Sequence, residues 1–125
     1  LFWTIVFALF GGDSTLDYGA RIAFIAAQRV ALWDVCAVGE RVASADATIR
    51  REVPNDIPAL LAAYPGIRTV AFNGSTARRL HDRHFPRRAD LAYLALPSTS
   101  PAHASLDLAA KLAAWQALRE SLRIE

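Results

Sequence analysis

Cysteine is nearly absent from this chain: Cys36 stands alone in an apolar segment. That excludes a disulfide framework and any cysteine-based metal cluster, and it fits a reducing, cytoplasmic setting. Lysine is as scarce, with Lys111 the one example, so the basic side of a net charge of +2 is arginine. Arginine suits bidentate contacts with phosphate, which permits nucleic acid as a partner without the charge demanding it. No apolar run reaches membrane length: residues 1–10 are too few to span a bilayer, and no basic leader or small-residue cleavage site accompanies them. Repeats, low-complexity tracts and linkers are missing too, and 125 residues hold one domain. Methionine is absent even at the first position, so the apolar opening is expected to be a core element of a chain that begins further upstream. Apolar side chains, at 54% of residues, are ample for a core and incompatible with global disorder.

Residues 1–10 are apolar on nearly every face and predict an element buried between neighbours, stopped by Gly11-Gly12. Asp13 or Ser14 then caps a helix to Gln28. Residues 30–38 read as a strand buried on both faces and interrupted by Asp34, and residues 39–54 as loop with a short helix at 46–51. Asn55 or Asp56 caps a helix to Tyr64, closed by Pro65-Gly66. A buried strand at 67–72 stops at Asn73-Gly74, and Ser75 or Thr76 caps a helix at 77–84 with Arg78, Arg79 and Arg83 on its polar side. A strand at 91–96 and a helix at 106–122 with Trp115 in its apolar stripe complete the chain. Buried strands alternating with helices predict an α/β protein: a three-layer α/β/α sandwich around one central parallel sheet, with 30–38, 67–72 and 91–96 as the visible strands.

Chemistry in such folds gathers at strand ends. The strand at 91–96 runs into a stiff polar loop in which Pro97 and Pro101 flank the hydroxyls of Ser98, Thr99 and Ser100, with His103 just beyond. The same residues also read as a proline-punctuated connection with Ser105 as a helix cap. Asp34 is either a buried, hydrogen-bonded carboxylate or a working one, and Asn73 either a turn residue or a ligand-binding amide. Gly12-Asp13-Ser14 is similar to the nucleophile block of GDSL-type esterases, but no Asp-x-x-His answers it near the C-terminus, so Ser14 is read as a helix cap. His81 and His84 beside Asp82 are read as part of a solvated basic helix face rather than a metal site.

Five blocks occur in order along the chain: Leu1-Phe2-Trp3, as the end of an Asn-x-Phe-Trp motif; Ala31-Leu32-Trp33-Asp34-Val35; Glu52-Val53-Pro54-Asn55-Asp56; Phe72-Asn73-Gly74; and Leu96-Pro97-Ser98-Thr99-Ser100-Pro101-Ala102-His103. In these the chain resembles the uracil-DNA glycosylase superfamily, most closely its DNA-deoxyinosine (hypoxanthine-DNA) glycosylase branch. The resemblance implies a single domain over 1–125 that lacks the family's first strand and its loop, with a four-stranded parallel sheet in the complete fold. It implies a monomeric cytoplasmic enzyme of base excision repair, acting without metal or organic cofactor on a deaminated base flipped out of DNA.

By the same resemblance Phe2 stacks on the flipped base, Trp3 packs in the core, Asp34 and Asn73 contact the base, and Ser98, Thr99 and Ser100 press on the DNA backbone. Arg87 and Arg88, close before the last strand in the densest basic cluster of the chain, are read as further phosphate contacts. The family's catalytic Asn falls immediately before Leu1, which leaves Ser98 and His103 as the catalytic candidates within these residues. Relatives that remove uracil carry His or Asn at the position of Ser98 and Asn at that of Asp34. An ionised carboxylate only accepts hydrogen bonds, so Asp34 favours the N1–H of hypoxanthine over the bare N1 of adenine, although uracil offers an N–H as well. A uracil or mismatch glycosylase and a catalytically dead nucleic-acid-binding domain stay open as alternatives.

Overall fold

Three of the five helices among the described residues start in the same way. Asp17, Asp56 and Asp107 each sit at the N-cap, and each carboxylate accepts the N–H of the alanine three residues on: Ala20 at 2.8 Å, Ala59 at 3.0 Å and Ala110 at 2.8 Å. Each Asp thereby satisfies an orphan donor of the first turn. The computed structural model describes residues 2–12, 15–40, 50–100 and 107–122. Their elements are α1 (Phe2–Phe10), α2 (Tyr18–Ala27), β1 (Cys36–Glu40), β2 (Arg50–Pro54), α3 (Ile57–Ala63), β3 (Thr69–Asn73), α4 (Ser75–His84), β4 (Ala92–Leu96) and α5 (Leu108–Ser121). The protein is α/β. Its residues fall into two compact units, one from 1–32 and 96–125, the other from 33–95.

The first unit is helical. Ile5, Val6, Phe7 and Leu9 of α1 are buried, whereas Thr4 and Ala8 are exposed, so α1 is covered on most but not all of its faces. It packs on α5, with the Phe2 ring edge-on to Trp115 at 6.1 Å, and on α2, with Phe7 against Phe24 at 5.4 Å. Gly11, at φ 77°, lets the chain leave α1 while its N–H returns to the Phe7 carbonyl at 2.7 Å. The far end of α2 is tied to the end of α5 by Arg29, which donates to the Leu122 carbonyl at 2.8 Å. Asp17 rather than Asp13 or Ser14 caps α2; those two lie outside the described residues.

Among the described residues the second unit holds β1, β2, β3 and β4 up to Ala95, arranged as two two-stranded sheets rather than one central sheet. Strand β1 pairs with β2 in antiparallel fashion, with Cys36 opposite Pro54, Val38 opposite Val53 and Glu40 opposite Arg50, and with register irregularities between them. This corrects two expectations. Residues 30–38 are not one buried strand: Leu32 and Trp33 are 45% and 53% exposed, and β1 starts only at Cys36. Just ahead of β1, the Asn55 side chain donates to the Asp34 carbonyl at 2.7 Å and its N–H donates to the Val35 carbonyl at 2.8 Å. The helix expected at 46–51 is overtaken by β2, which begins at Arg50; the rest of that stretch lies outside the described residues.

Strands β3 and β4 pair as expected, joined by α4. Ala92 N–H donates to the Arg68 carbonyl at 2.9 Å, so the two strands enter side by side in parallel. Gly74, at φ 95°, is the N-cap of α4 and makes no side-chain cap bond, so Ser75 is the first helical residue and not the cap. The positive φ is what allows β3 to turn into a helix within one residue. In α3, Asp56 caps, Pro58 occupies the first turn where no N–H is needed, and Ile57 and Leu61 are buried one turn apart.

Candidate nucleic-acid interface

In the helical unit the site is built on the loop that leaves β4. The α5 residues Lys111 and Trp115 are four apart and so share one helix face, and both reach this loop. Trp115 Nε1 donates to the Pro97 carbonyl at 2.8 Å, and Lys111 Nζ donates to the Ser100 carbonyl at 3.2 Å. Between these two fastenings Ser98 Oγ accepts the Ser100 N–H at 3.1 Å, a tight turn closed by a hydroxyl that keeps its own proton for donation. Ser98 and Ser100 are half-buried and Thr99 is buried. Through the ring of Trp115 the same arrangement brings in Phe2, which also meets Trp3 edge-on at 5.2 Å.

Trp3 is half-buried and carries the Arg21 guanidinium at 5.7 Å from its ring centroid, a cation–π contact rather than a fully enclosed core position. His103 and Ser105 lie outside the described residues. Nothing in composition or motif marks Lys111 or Trp115 as loop fastenings. The usable signal is their i, i+4 spacing, with one of the pair the sole lysine of the chain.

The strand unit holds the other candidates. Asp34 is exposed and precedes β1, so it is not the buried mid-strand carboxylate that the apolar run predicts. Asn73 is the last residue of β3 and is exposed, immediately before the turn at Gly74.

Below the α4 helix lies a cluster that corrects another expectation. His81 is 3% exposed, not part of a solvated basic face, and its ring meets Phe72 at 5.1 Å, Phe85 at 5.7 Å and Tyr93 at 5.8 Å. Its Nδ1 shares a 3.0 Å hydrogen bond with Asp82. Aromatic residues from β3, β4 and the end of α4 converge where the helix crosses the sheet, and they take the histidine with them.

Arg87 completes this cluster from outside. It forms two hydrogen bonds to Asp82, 3.1 Å from Nε and 3.0 Å from Nη2, and lies over the rings of Tyr93 and Phe72 at 5.0 and 5.5 Å. The Arg87 bond, reinforced by His81, holds the Asp82 carboxyl below its ordinary range. Arg88 makes its own fork, 3.0 Å from Nε and 2.6 Å from Nη2 to Asp90, which holds the Asp90 carboxyl low in turn. Its N–H donates to Tyr93 Oη at 2.9 Å. Both arginines expected to contact DNA are therefore engaged with carboxylates. Among the described residues no three His, Cys, Asp or Glu side chains gather to hold a metal ion, and no helix is long and apolar enough to cross a membrane.

No protein-family model matches the chain. It is similar to a hypoxanthine DNA glycosylase of Methanosarcina barkeri, 30% identical over 74 residues that cover 58% of this chain and 47% of that protein. A hypoxanthine DNA glycosylase of Methanosarcina acetivorans is 32% identical over 77 residues, 61% of this chain and 49% of the relative. The chain thus spans about half the length of the curated relatives it matches. Among solved structures, the solution NMR structure of a candidate uracil DNA glycosylase from Methanosarcina acetivorans superposes with a TM-score of 0.76 at 27% identity, over 98% of this chain and 74% of that one. In sequence, then, the chain is similar to parts of two proteins named hypoxanthine DNA glycosylase, and in fold it is similar over nearly its whole length to a candidate uracil DNA glycosylase.

Proposed function

We propose that this chain belongs to a DNA glycosylase of base excision repair that hydrolyses the N-glycosidic bond of a flipped-out deaminated base, with hypoxanthine as that base. The observation that carries the reading is the likeness to a candidate uracil DNA glycosylase over nearly the whole chain, joined to two relatives named for hypoxanthine. The enzyme acts as a monomer, in the cytoplasm, on DNA and without metal or organic cofactor. Bond breaking runs through an oxocarbenium-like sugar, and the departing base is held by hydrogen bonds that strengthen as charge develops on it. In the strand unit Asp34 accepts the N1–H of hypoxanthine and leaves the N1 of adenine facing a second acceptor, which disfavours the normal base. In the helical unit Ser98 to Ser100 contact the DNA backbone through N–H and hydroxyl donors, and Phe2 offers an aromatic face.

Base release from duplexes carrying one hypoxanthine, uracil or xanthine tests this directly. Hypoxanthine release above the other two is expected. Uracil as the preferred base is the second reading, favoured by the likeness to a solved relative named for uracil. Binding to all three duplexes with release from none assigns the chain to nucleic-acid binding without catalysis.

A further inference from the structure

Lys111 is the one lysine of the chain and is 2% exposed. An ammonium group has three donors and needs an anion or a full set of acceptors once it leaves water. Among the described residues its ammonium has one hydrogen-bond partner, the uncharged Ser100 carbonyl at 3.2 Å. Asp107, one turn earlier on α5, directs its carboxylate to the Ala110 N–H instead. A buried cation held by a single neutral acceptor is unfavourable in isolation, and it points to a charge that a ligand completes.

The loop in front of Lys111 is built to receive such a ligand. Its carbonyls at Pro97 and Ser100 both face α5, taken by Trp115 and Lys111. The Pro97–Ser98 peptide is trans, so the Ser98 N–H points opposite the Pro97 carbonyl, away from α5. Ser98 Oγ accepts from Ser100 N–H and retains its own proton. The turn therefore offers an amide donor that points away from α5 and a hydroxyl that keeps a proton to donate, with the Lys111 charge on the α5 side.

We propose that Lys111 is a positioning residue that charges the Pro97–Ser100 turn for a phosphodiester oxygen. It fixes the turn through Ser100 and supplies the cation that the bound anion neutralises. That the phosphodiester comes from DNA rests on the function proposed above.

The test compares wild type with Lys111→Met, which keeps length and removes charge, in binding to an undamaged duplex between about 50 and 200 mM salt. The variant is expected to melt no lower than wild type and to bind several-fold more weakly at the low-salt end. Its plot of log affinity against log salt should be flatter by about 0.9, the contribution of one neutralised phosphate. A wild-type slope in a folded variant overturns the proposal and leaves Lys111 a mere fastening. Wild type without affinity for duplex overturns the DNA reading instead, and the anion site is then judged with inorganic phosphate added to isotope-labelled protein. Movement of the Ser98 amide and Lys111 side-chain signals together supports the site, and stationary signals overturn it. If Lys111→Met does not fold, this phosphate titration of wild type decides.

Discussion

Two cations from different parts of the molecule reverse the usual link between exposure and availability. Arg87, on the surface of the strand unit, donates twice to Asp82 and lies over Phe72 and Tyr93. Lys111, buried in the helical unit, meets among the described residues only the Ser100 carbonyl. Exposed and basic is thus a poor description of a phosphate contact. What counts is whether a carboxylate already holds the charge, because an incoming phosphate must first displace it.

The strongest way to break this comparison is to remove what keeps the loop on α5. Trp115 is 3% exposed and holds Pro97. Trp115→Ala should cost about 3–5 kcal/mol in denaturant unfolding, through lost packing against Phe2 and an empty volume beside it. Trp115→Phe keeps most of the ring and strands the Pro97 carbonyl, for a cost of about 1–3 kcal/mol. Equal losses for the two variants would mean that the hydrogen bond, and not the packing, secures the turn.

Asp34→Asn comes next and acts on substrate choice rather than stability, since the side chain is exposed. Loss of one charged hydrogen bond of about 1.5–3 kcal/mol corresponds to a fall in hypoxanthine release on the order of ten-fold or more. A neutral amide can also donate, which relaxes the choice between base edges. Base-release rates on hypoxanthine and on uracil, each against wild type, check this, and rates unchanged on both would make Asp34 a bystander.

What is legible in the sequence divides along physical lines. The α/β class, the strands near 67–72 and 91–96 and the Asp56 cap are readable because short apolar runs bounded by turn residues and an Asp before a helix have few competing explanations. The resemblance to known glycosylases is readable because five blocks in fixed order are far more specific than one. The segment 30–38 misleads because an apolar run carries no sign of which strand it pairs with, and Leu32 and Trp33 lie exposed ahead of β1. Gly74 does not announce itself as a cap because its contribution is a backbone angle and not a side chain. His81 reads as solvated because its helix is rich in arginine, while the aromatic rings that enclose it come largely from β3 and β4. Lys111 is invisible for the same reason: burial of a lone charge is a tertiary fact.

Acid sharpens the comparison at the Arg87 end. The Arg87 bond, with His81 behind it, lowers the Asp82 carboxyl from an ordinary value of 3.8 in the folded protein. A carboxyl depressed by folding contributes stability that is fully present above the unfolded value and is lost as pH falls through the lower folded value. Thermal melts should therefore fall along an acid limb that opens below about pH 4, and Asp82→Asn should make that limb shallower while leaving the neutral plateau slightly lower. The effect is small because the carboxylate is partly exposed and screened. An acid limb identical in the variant would show that the pair is a surface contact of no consequence.

The smallest effect is expected where sequence alone promises a large one. If Arg87 and Arg88 were free to neutralise two phosphates, Arg87→Ala/Arg88→Ala would flatten the salt slope of duplex binding by about 1.8. Each guanidinium is instead forked onto a carboxylate, Asp82 or Asp90, and the Asp82 and Asp90 charges stay behind when the arginines are removed. A phosphate that captured Arg87 would also have to draw it off the rings of Phe72 and Tyr93. The double variant is therefore expected to change the slope by less than about 0.9, one phosphate's worth, and to weaken binding at low salt chiefly through the negative charge it uncovers. Adding Asp82→Asn and Asp90→Asn to the double variant separates the two causes: affinity should return toward wild type if uncovered carboxylates repel the duplex, and stay low if the arginines themselves gripped it. A slope change near 1.8 in the double variant would restore both arginines as DNA contacts and remove the contrast with Lys111.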